Sequence, residues 1–300
     1  MKKIEETESS IPIEMLPYLN KFKGKTFVIK YGGSVMKNKI AQEAFFNDVV
    51  TLKNMDINII IVHGGGPEIS KWLNKTGIES KWVNGLRVTD YYTMEIVEMV
   101  LSGDVNKKLS SHLSTRGLNA IGISGRDCNL IRAKKQYIYE KGQKIDIGFV
   151  GKIVNINKNL LIDFLDKNYI PVISPIGCDV DGNSYNINAD FAAAFISGVM
   201  KAEKLIIMTD IEGVYRDIHD PTTLISTLTI EEIHDYIESG EITDGMIPKM
   251  ECCIEAIEKG TKNVHLIDGR KEHALLLDLY LKSGTRILSG GGINKCQKIV

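Results

Sequence analysis

Two glycine clusters, each closing a short apolar run, carry the residue types that bind phosphate. In TFVIKYGGS, residues 26–34, Lys30 stands at the opening end of a strand-like run and Gly32 and Gly33 follow. In NIIIVHGGGPE, residues 58–68, Ile59 to Val62 run into Gly64, Gly65 and Gly66. Glycine puts no side chain between a ligand and the backbone, and successive N–H groups turned one way cradle an anion. Lysine is a point-charge partner for phosphate. One such loop is equally an ordinary strand-to-helix turn; two of them, one with a lysine, point to a polyphosphate held between strands. Asp190, in YNINAD, and Lys249, in DGMIPK, extend the set to two lysines, an aspartate and glycine loops. Those parts suit phosphoryl transfer, whose catalysis is mostly positioning and charge neutralisation.

Some of these residues also have plainer roles. Arg87, in NGLRVTD, offers a planar fork for a carboxylate, and an exposed surface arginine fits the same residues. Asn188 and Asp190 stand where a helix cap stands, the usual place of Asn and Asp. The residues alone leave both readings open at these positions.

The elements that position them follow a β-α-β rhythm. Ile59 to Val62 are too few for a helix and β-branched throughout, which suits a parallel strand buried on both faces. Gln42–Asn54 reads as a helix between the two glycine units, and residues 68–76 as a helix whose N-terminus faces the triple glycine. Asn84-Gly85 is a turn signal. Residues 91–109 are helical in period, 119–123 strand, and 131–156 a set of hairpins at one edge of the site. A helix over 160–168 and a strand over 169–173 continue the pattern. Strand 204–208, KLIIM, ends in Thr209-Asp210, and Gly213-Val214-Tyr215 reads as a second nucleotide-facing loop. A helix over 250–259 follows Met246 and Lys249, and strands 264–267 and 285–288 bracket a helix over 274–281. The economical architecture is α/β: an open, mostly parallel doubly wound sheet with helices on both faces. Ahead of it, Ile13, Leu16, Leu19 and Phe22 recur at helical spacing, which predicts an N-terminal helix that packs back onto the domain or docks on another subunit. The expected division is an extension over 1–23, an N-lobe over 24–180 and a C-lobe over 181–300.

Composition excludes other classes. The 300 residues are 43% hydrophobic and 25% charged, with net charge −1, as in a folded globular protein with no basic field to recruit nucleic acid or an anionic membrane. No apolar run approaches a membrane span, and MKKIEETESS is not a secretory leader, so a cytoplasmic location is expected. Five cysteines, without metal-type spacing, read as reduced thiols. GxxxxGK[ST], HRD and DFG are absent, as are GxGxxG after a strand, GxSxG and HExxH.

Six segments in order, KYGGS (30–34), VHGGGPE (62–68), NGLRVTD (84–90), YNINAD (185–190), KAEKLIIMTDIEGVY (201–215) and DGMIPK (244–249), resemble the N-acetylglutamate kinases, members of the amino-acid kinase fold. The resemblance runs from about residue 13 to 289. It implies ATP-dependent phosphorylation of the γ-carboxylate of N-acetyl-L-glutamate, with carbamate and aspartate kinases, or an arginine-sensing protein without catalysis, as alternatives. It further implies that Lys30 and Lys249 neutralise the transferring phosphoryl group while Asp190 orients them. Gly32, Gly33 and Gly65 would bind phosphate, and Gly65, Gly66, Arg87, Asn186 and Asn188 the acyl substrate. Thr209, Asp210, Gly213, Val214, Tyr215, Met246 and Lys249 would hold the nucleotide. Magnesium would enter with ATP, with no dedicated metal cage.

The same resemblance bears on assembly and control. IPIEMLPYLNKF resembles the interlocking helix of hexameric, arginine-inhibited members, which implies a homodimer on the N-lobe sheet and a hexamer of three dimers. Tyr18, His273, Asp278 and Gly284 match positions around the arginine effector. The family more often has glutamate at the Asp278 position, and the Ser283-Gly284-Thr285 loop is two residues shorter than its pattern. Weak inhibition is the expectation.

Overall fold

The structure, a computed structural model, describes residues 20–290 apart from positions 37, 141, 218, 244 and 282 and the side chain at 34. The N-terminal helix expected before residue 20, and with it Tyr18, lies outside the described residues.

Strand β1 (Thr26–Tyr31) leads through α1 (Gly33–Met36) and α2 (Lys39–Asn54) to β2 (Asn58–His63) and α3 (Gly66–Thr76). A small hairpin of β3 (Trp82–Val83) and β4 (Leu86–Arg87) precedes α4 (Tyr91–Glu98), a π-helical stretch (Met99–Val105) and α5 (Asn106–Ser114). Next come β5 (Ala120–Ser124), β6 (Ile131–Glu140), β7 (Gln143–Ile156), α6 (Lys158–Asp166), β8 (Ile170–Ser174), β9 (Ile176–Cys178) and β10 (Ser184–Asn186). The rest is α7 (Ala189–Val199), β11 (Lys204–Thr209), β12 (Val214–Tyr215), β13 (Leu224–Ile225), β14 (Thr227–Thr229), α8 (Ile230–Glu238), α9 (Met246–Glu258), β15 (Val264–Asp268), α10 (Ala274–Leu281) and β16 (Thr285–Leu288).

Eight strands form one sheet in the order β14-β16-β15-β11-β1-β2-β8-β5, and only the β15–β16 pair is antiparallel. The expected α/β architecture is observed. Alternation along the strands explains why both faces are covered. Phe27 and Ile29 of β1 pack with Ile59 and Ile61 of β2 into one core, together with α2 and α10. Val28, Ile60 and Val62 enter the opposite core, beneath α7 and α9. From β1 and β2 the chain runs to the edge strand β5, comes back to fill the place between β5 and β2 with β8, and then crosses to the other side of β1 through β11. That change of direction leaves a crevice beyond the carboxyl ends of β1, β2 and β11, the usual ligand position in such sheets. Lys30 is in register with Val62 and with Ile207 at that end.

Residues 131–156 correct the expectation of several hairpins. They form one long hairpin, β6–β7, which with β9 and β10 closes a four-stranded barrel. Gly148 and Gly151 lie inside β7, where other parts of the chain come close. A Cβ at Gly148, which has φ +80°, would stand 2.0 Å from the Thr89 carbonyl oxygen, and one at Gly151 2.6 Å from Tyr185 Cβ. The last long helix also begins earlier than expected, at Met246 rather than Met250. Pro248 falls in its first turn, where a missing N–H removes no helical bond. The helical run from residue 91 continues to Ser114, past residue 109, through the π-helical stretch. Val88 lies just outside the β3–β4 hairpin, whose Asn84 (φ 47°) and Gly85 (φ 75°) both take the positive φ of a tight turn.

Candidate active site

Helices α7 and α9 lie side by side and in the same direction. Near their C-terminal ends, a Cβ at Gly198 would come within 2.3 Å of Lys259 Cβ, so only glycine permits that approach. Their N-termini consequently open together, and there Asp190 meets Lys249, Oδ2 to Nζ at 3.2 Å. The other oxygen of Asp190 lies 2.9 Å from Lys30 Nζ at the end of β1. Burial alone would raise the Asp190 pKa, but the two ammonium groups outweigh it and hold the carboxyl down to about 2. Burial pulls the Lys249 pKa down more than any other single effect, but the charge of Asp190, its hydrogen bond and the nearby Cys252 and Asp210 together outweigh it and raise the pKa, so the ammonium stays protonated. A cation in the first turn of a helix is disfavoured by the helix dipole, whereas a carboxylate there is favoured. Asp190 therefore has support from its own helix and supplies what Lys249 lacks.

The glycine loops close around this ion pair. Gly33 opens α1, where a Cβ would sit 3.1 Å from the ring of Pro67 in α3. Gly65 precedes α3, and a Cβ on it would meet Leu101 Cδ2 of the π-helical stretch at 2.5 Å. Gly32 is buried and Gly66 has open space beside it. The two loops are thus packed against each other and against the π-helical stretch, with the N-terminus of α3 between them.

A cleft of about 170 Å³ adjoins the loops, lined in part by Gly65, Gly66, Arg87, Asn186 and Asn188. Arg87 is buried and braced. Its Nη2 donates to Gly66 O (3.2 Å) and Ser70 Oγ (2.8 Å), its Nη1 to Ser80 Oγ (2.6 Å), and its guanidinium lies 4.3 Å from the Trp82 ring centre. The surface-arginine reading is excluded. Both Nη2 hydrogens are engaged, so a two-pronged grip on a carboxylate through Nη2 requires Ser70 or the Gly66 carbonyl to yield. Asn186 donates through Nδ2 to Thr89 Oγ1 at 3.2 Å, which in turn donates to Arg87 O. Asn188 is in the cleft wall and caps α7 at once, since its Oδ1 accepts from Asp190 N (2.8 Å) and Phe191 N (3.3 Å). The helix-cap reading holds for its oxygen; its amide nitrogen remains for a ligand.

Of the positions expected to hold nucleotide, Thr209 ends β11 and Asp210 follows it, exposed, at the same carboxyl edge as Lys30. Met246 and Lys249 share the first turn of α9. Gly213 and Val214 are packed inward: a Cβ at Gly213 would meet Thr285 Oγ1 at 2.4 Å, and Val214 N donates to that hydroxyl. Tyr215 donates its hydroxyl to Glu212.

The residues expected around an effector lie elsewhere, near α10. His273 Nδ1 is 2.6 Å from the buried Asp48 carboxylate. Asp278 is fully buried, 2.7 Å from His265 Nδ1 and 3.6 Å from Lys204 Nζ. Gly284, at φ +80°, stands where a Cβ would lie 2.1 Å from Leu266 O.

Sequence reasoning did not single out Ser70, Ser80 and Trp82, which brace Arg87, or His63 and Asn106 behind the triple glycine. His63 lies in the quoted VHGGGPE segment, and its type was the available signal. Among the described residues no group of three His, Cys, Asp or Glu side chains could hold a metal ion, and no helix is long and apolar enough to cross a membrane.

Comparison with known proteins bears on the same site. Residues 25–268 match the model of the amino acid kinase family. The chain is 55% identical to an acetylglutamate kinase of Clostridium acetobutylicum, over 100% of both chains. It is 48% identical to an acetylglutamate kinase of Methanococcus maripaludis, over 93% of this chain and 96% of that one. Among solved structures, N-acetylglutamate synthase from Neisseria gonorrhoeae superposes with TM-score 0.80 at 23% identity, over 93% of this chain and 63% of the synthase. Giardia carbamate kinase does so with TM-score 0.65 at 15% identity, over 89% and 99%. These last two likenesses are of fold.

Proposed function

The chain belongs to the amino acid kinase family, and from that premise we propose that it transfers the γ-phosphoryl group of ATP to the γ-carboxylate of N-acetyl-L-glutamate. The product is N-acetylglutamyl 5-phosphate, in the second step of arginine biosynthesis. Relatives named acetylglutamate kinase at 47–55% identity over nearly the whole chain support the substrate. The observation that carries the chemistry is the pair of lysines, Lys30 and Lys249, on opposite oxygens of Asp190.

A carboxylate is already ionised near neutral pH and needs no general base. One of its oxygens bonds to the γ-phosphorus as the bond from phosphorus to the β–γ bridging oxygen breaks, and ADP leaves with that electron pair. Positioning and charge neutralisation must supply the rate. In this reading Lys30 and Lys249 neutralise the phosphoryl oxygens from two sides and Asp190 keeps both in place. The N–H groups of Gly33 and Gly65 donate to the same oxygens, and Gly32 lets the backbone come close. Arg87, Gly66, Asn186 and Asn188 hold the acyl substrate, and Thr209, Asp210, Gly213, Val214, Tyr215 and Met246 form the nucleotide side. Magnesium arrives on the ATP phosphates as part of the substrate.

We also assign acetylglutamate binding to the lobe of residues 24–180, completed by Asn186 and Asn188 from the start of the second lobe, and ATP binding to residues 181–300. We place a homodimer on the N-lobe sheet, whose outermost strand is β5. Three such dimers, joined through the segment 1–23, would make the hexamer.

The test is ATP turnover by the purified full chain with N-acetylglutamate, glutamate, aspartate or carbamate as acceptor. Turnover with N-acetylglutamate well above the other three is expected. Faster turnover with carbamate or aspartate would overturn the substrate assignment.

A further inference from the structure

Behind the triple glycine, away from the cleft, His63 and Asn106 form a buried pair that the reaction as described does not use. Both are 0% exposed. Asn106 Nδ2 lies 2.8 Å from Val172 O and 3.3 Å from Ile123 O, carbonyls of β8 and β5 that only accept. The amide nitrogen must therefore face them. The same Nδ2 is 3.1 Å from His63 Nε2; its two hydrogens are shared among these three acceptors, and because an amide nitrogen cannot accept, a hydrogen on Nε2 would face a donor, so that ring nitrogen carries none. The hydrogen of the neutral ring then sits on Nδ1, 2.8 Å from Gly64 O, which also only accepts. Each end of the ring independently requires the same tautomer.

That tautomer has a consequence in the active site. In a trans peptide the C=O of one residue and the N–H of the next point in opposite directions, and the described residues contain no cis bond. Anchoring Gly64 O on His63 aims Gly65 N–H the other way, towards the cleft that Gly65 lines. The flanking peptides are already held, Gly64 N by Tyr31 O and Gly65 O by Ile69 N, each at 2.9 Å. Rotation of the Gly64–Gly65 peptide is the freedom that two glycines would otherwise leave. Asn106 Oδ1 is buried without a partner, so the amide gives up an acceptor to keep its nitrogen on the ring and the strand carbonyls.

We propose that His63, held in one tautomer by Asn106, is a positioning residue that fixes the Gly64–Gly65 peptide so that Gly65 N–H meets the transferring phosphoryl group. This rests on the reading above, in which Gly65 donates to that group.

Two substitutions separate this role from simple packing. His63→Asn puts an amide donor near the place of Nδ1 and loses the bond to Asn106. His63→Gln puts an amide oxygen near the place of Nε2 and loses the donor to Gly64. We expect His63→Gln to lower kcat roughly 10- to 100-fold with little change in either KM, and His63→Asn to keep kcat within about threefold despite the larger loss of thermal stability. Equal kcat losses in the two, or a kcat that follows Tm, overturns the proposal. If either variant does not fold, the 15N shifts of the His63 ring in the unsubstituted protein decide. A protonated Nδ1 and bare Nε2 support the proposal and the opposite tautomer overturns it. Failure of the unsubstituted enzyme to phosphorylate N-acetylglutamate would instead count against the functional reading, and the tautomer would still be measured.

Discussion

Asp190 and Lys249, 59 residues apart in the chain, meet at 3.2 Å because the helices they begin lie side by side. Lys30 reaches the other Asp190 oxygen from the central strand, at 2.9 Å. In the proposed reaction, removing either ammonium would leave the phosphoryl charge neutralised from one side. Lys30→Ala and Lys249→Ala are each expected to lower kcat by about 100-fold or more with a smaller rise in KM. Steady-state kinetics in both substrates checks this, and a change confined to KM in both variants would remove the lysines from the chemistry.

Asp190→Asn should lower kcat likewise, and its effect on stability should depend on pH in a defined direction. The carboxyl is held at about 2 in the fold, below the 3.9 typical of an unfolded chain. Its ionised form therefore stabilises the fold above about pH 4, and that contribution is lost as pH falls through 2. Acid titration of unfolding should bring the stabilities of the variant and the parent together over this window. A difference that stays constant from pH 6 to 2 would contradict it.

Arg87→Lys removes the planar fork that spans Ser70, Ser80 and Gly66 and lies against Trp82. An ammonium cannot make that set of bonds. KM for N-acetylglutamate should rise about tenfold or more while KM for ATP changes little. An unchanged KM for N-acetylglutamate would take Arg87 out of the acyl site.

Burial lowers the His63 pKa to about 4, against a smaller raising effect of the Gly64 carbonyl. The unfolded chain, near 6.5, binds more protons between pH 6.5 and 4, so this residue makes the fold less stable as pH falls across that range. The limiting slope for one proton is about 1.4 kcal/mol per pH unit. Denaturant titrations at pH 4.5 and 7 should show a larger loss for the parent than for His63→Asn. Equal losses would mean that His63 is protonated in the fold.

Arginine inhibition is proposed to be present and weak. His273 is committed to Asp48 and Asp278 to His265, which leaves fewer free acceptors for a guanidinium. Arginine titration of the kinase rate tests this, alongside sizing of the full chain and of a form lacking residues 1–21, which should remain an active dimer. Insensitivity at millimolar arginine with an intact hexamer would restrict the N-terminal segment to assembly.

The sequence by itself determined the elements and most of the chemical parts. β-Branched runs such as Ile59 to Val62 and the glycines after them are local signals, and a short, continuously apolar run bounded by turn formers suffices to specify a strand buried on both faces that ends in a glycine loop. It could not rank Asn188 between cap and ligand, and the structure shows the cap oxygen spent on Asp190 N and Phe191 N. Only the tertiary structure decided that Asp190 faces Lys249, that Arg87 is braced by Ser70 and Ser80, and that Asn106 sets the tautomer of His63 across 43 residues. It also decided that Gly148 and Gly151 lie inside a strand, because what crowds them, the Thr89 backbone and the Tyr185 side chain, comes from other parts of the chain. The physical reason is common to these cases. Helix period and turn chemistry act over a few residues, whereas a buried polar group takes whatever partner packing brings to it, and that partner is set by how distant helices and strands come together.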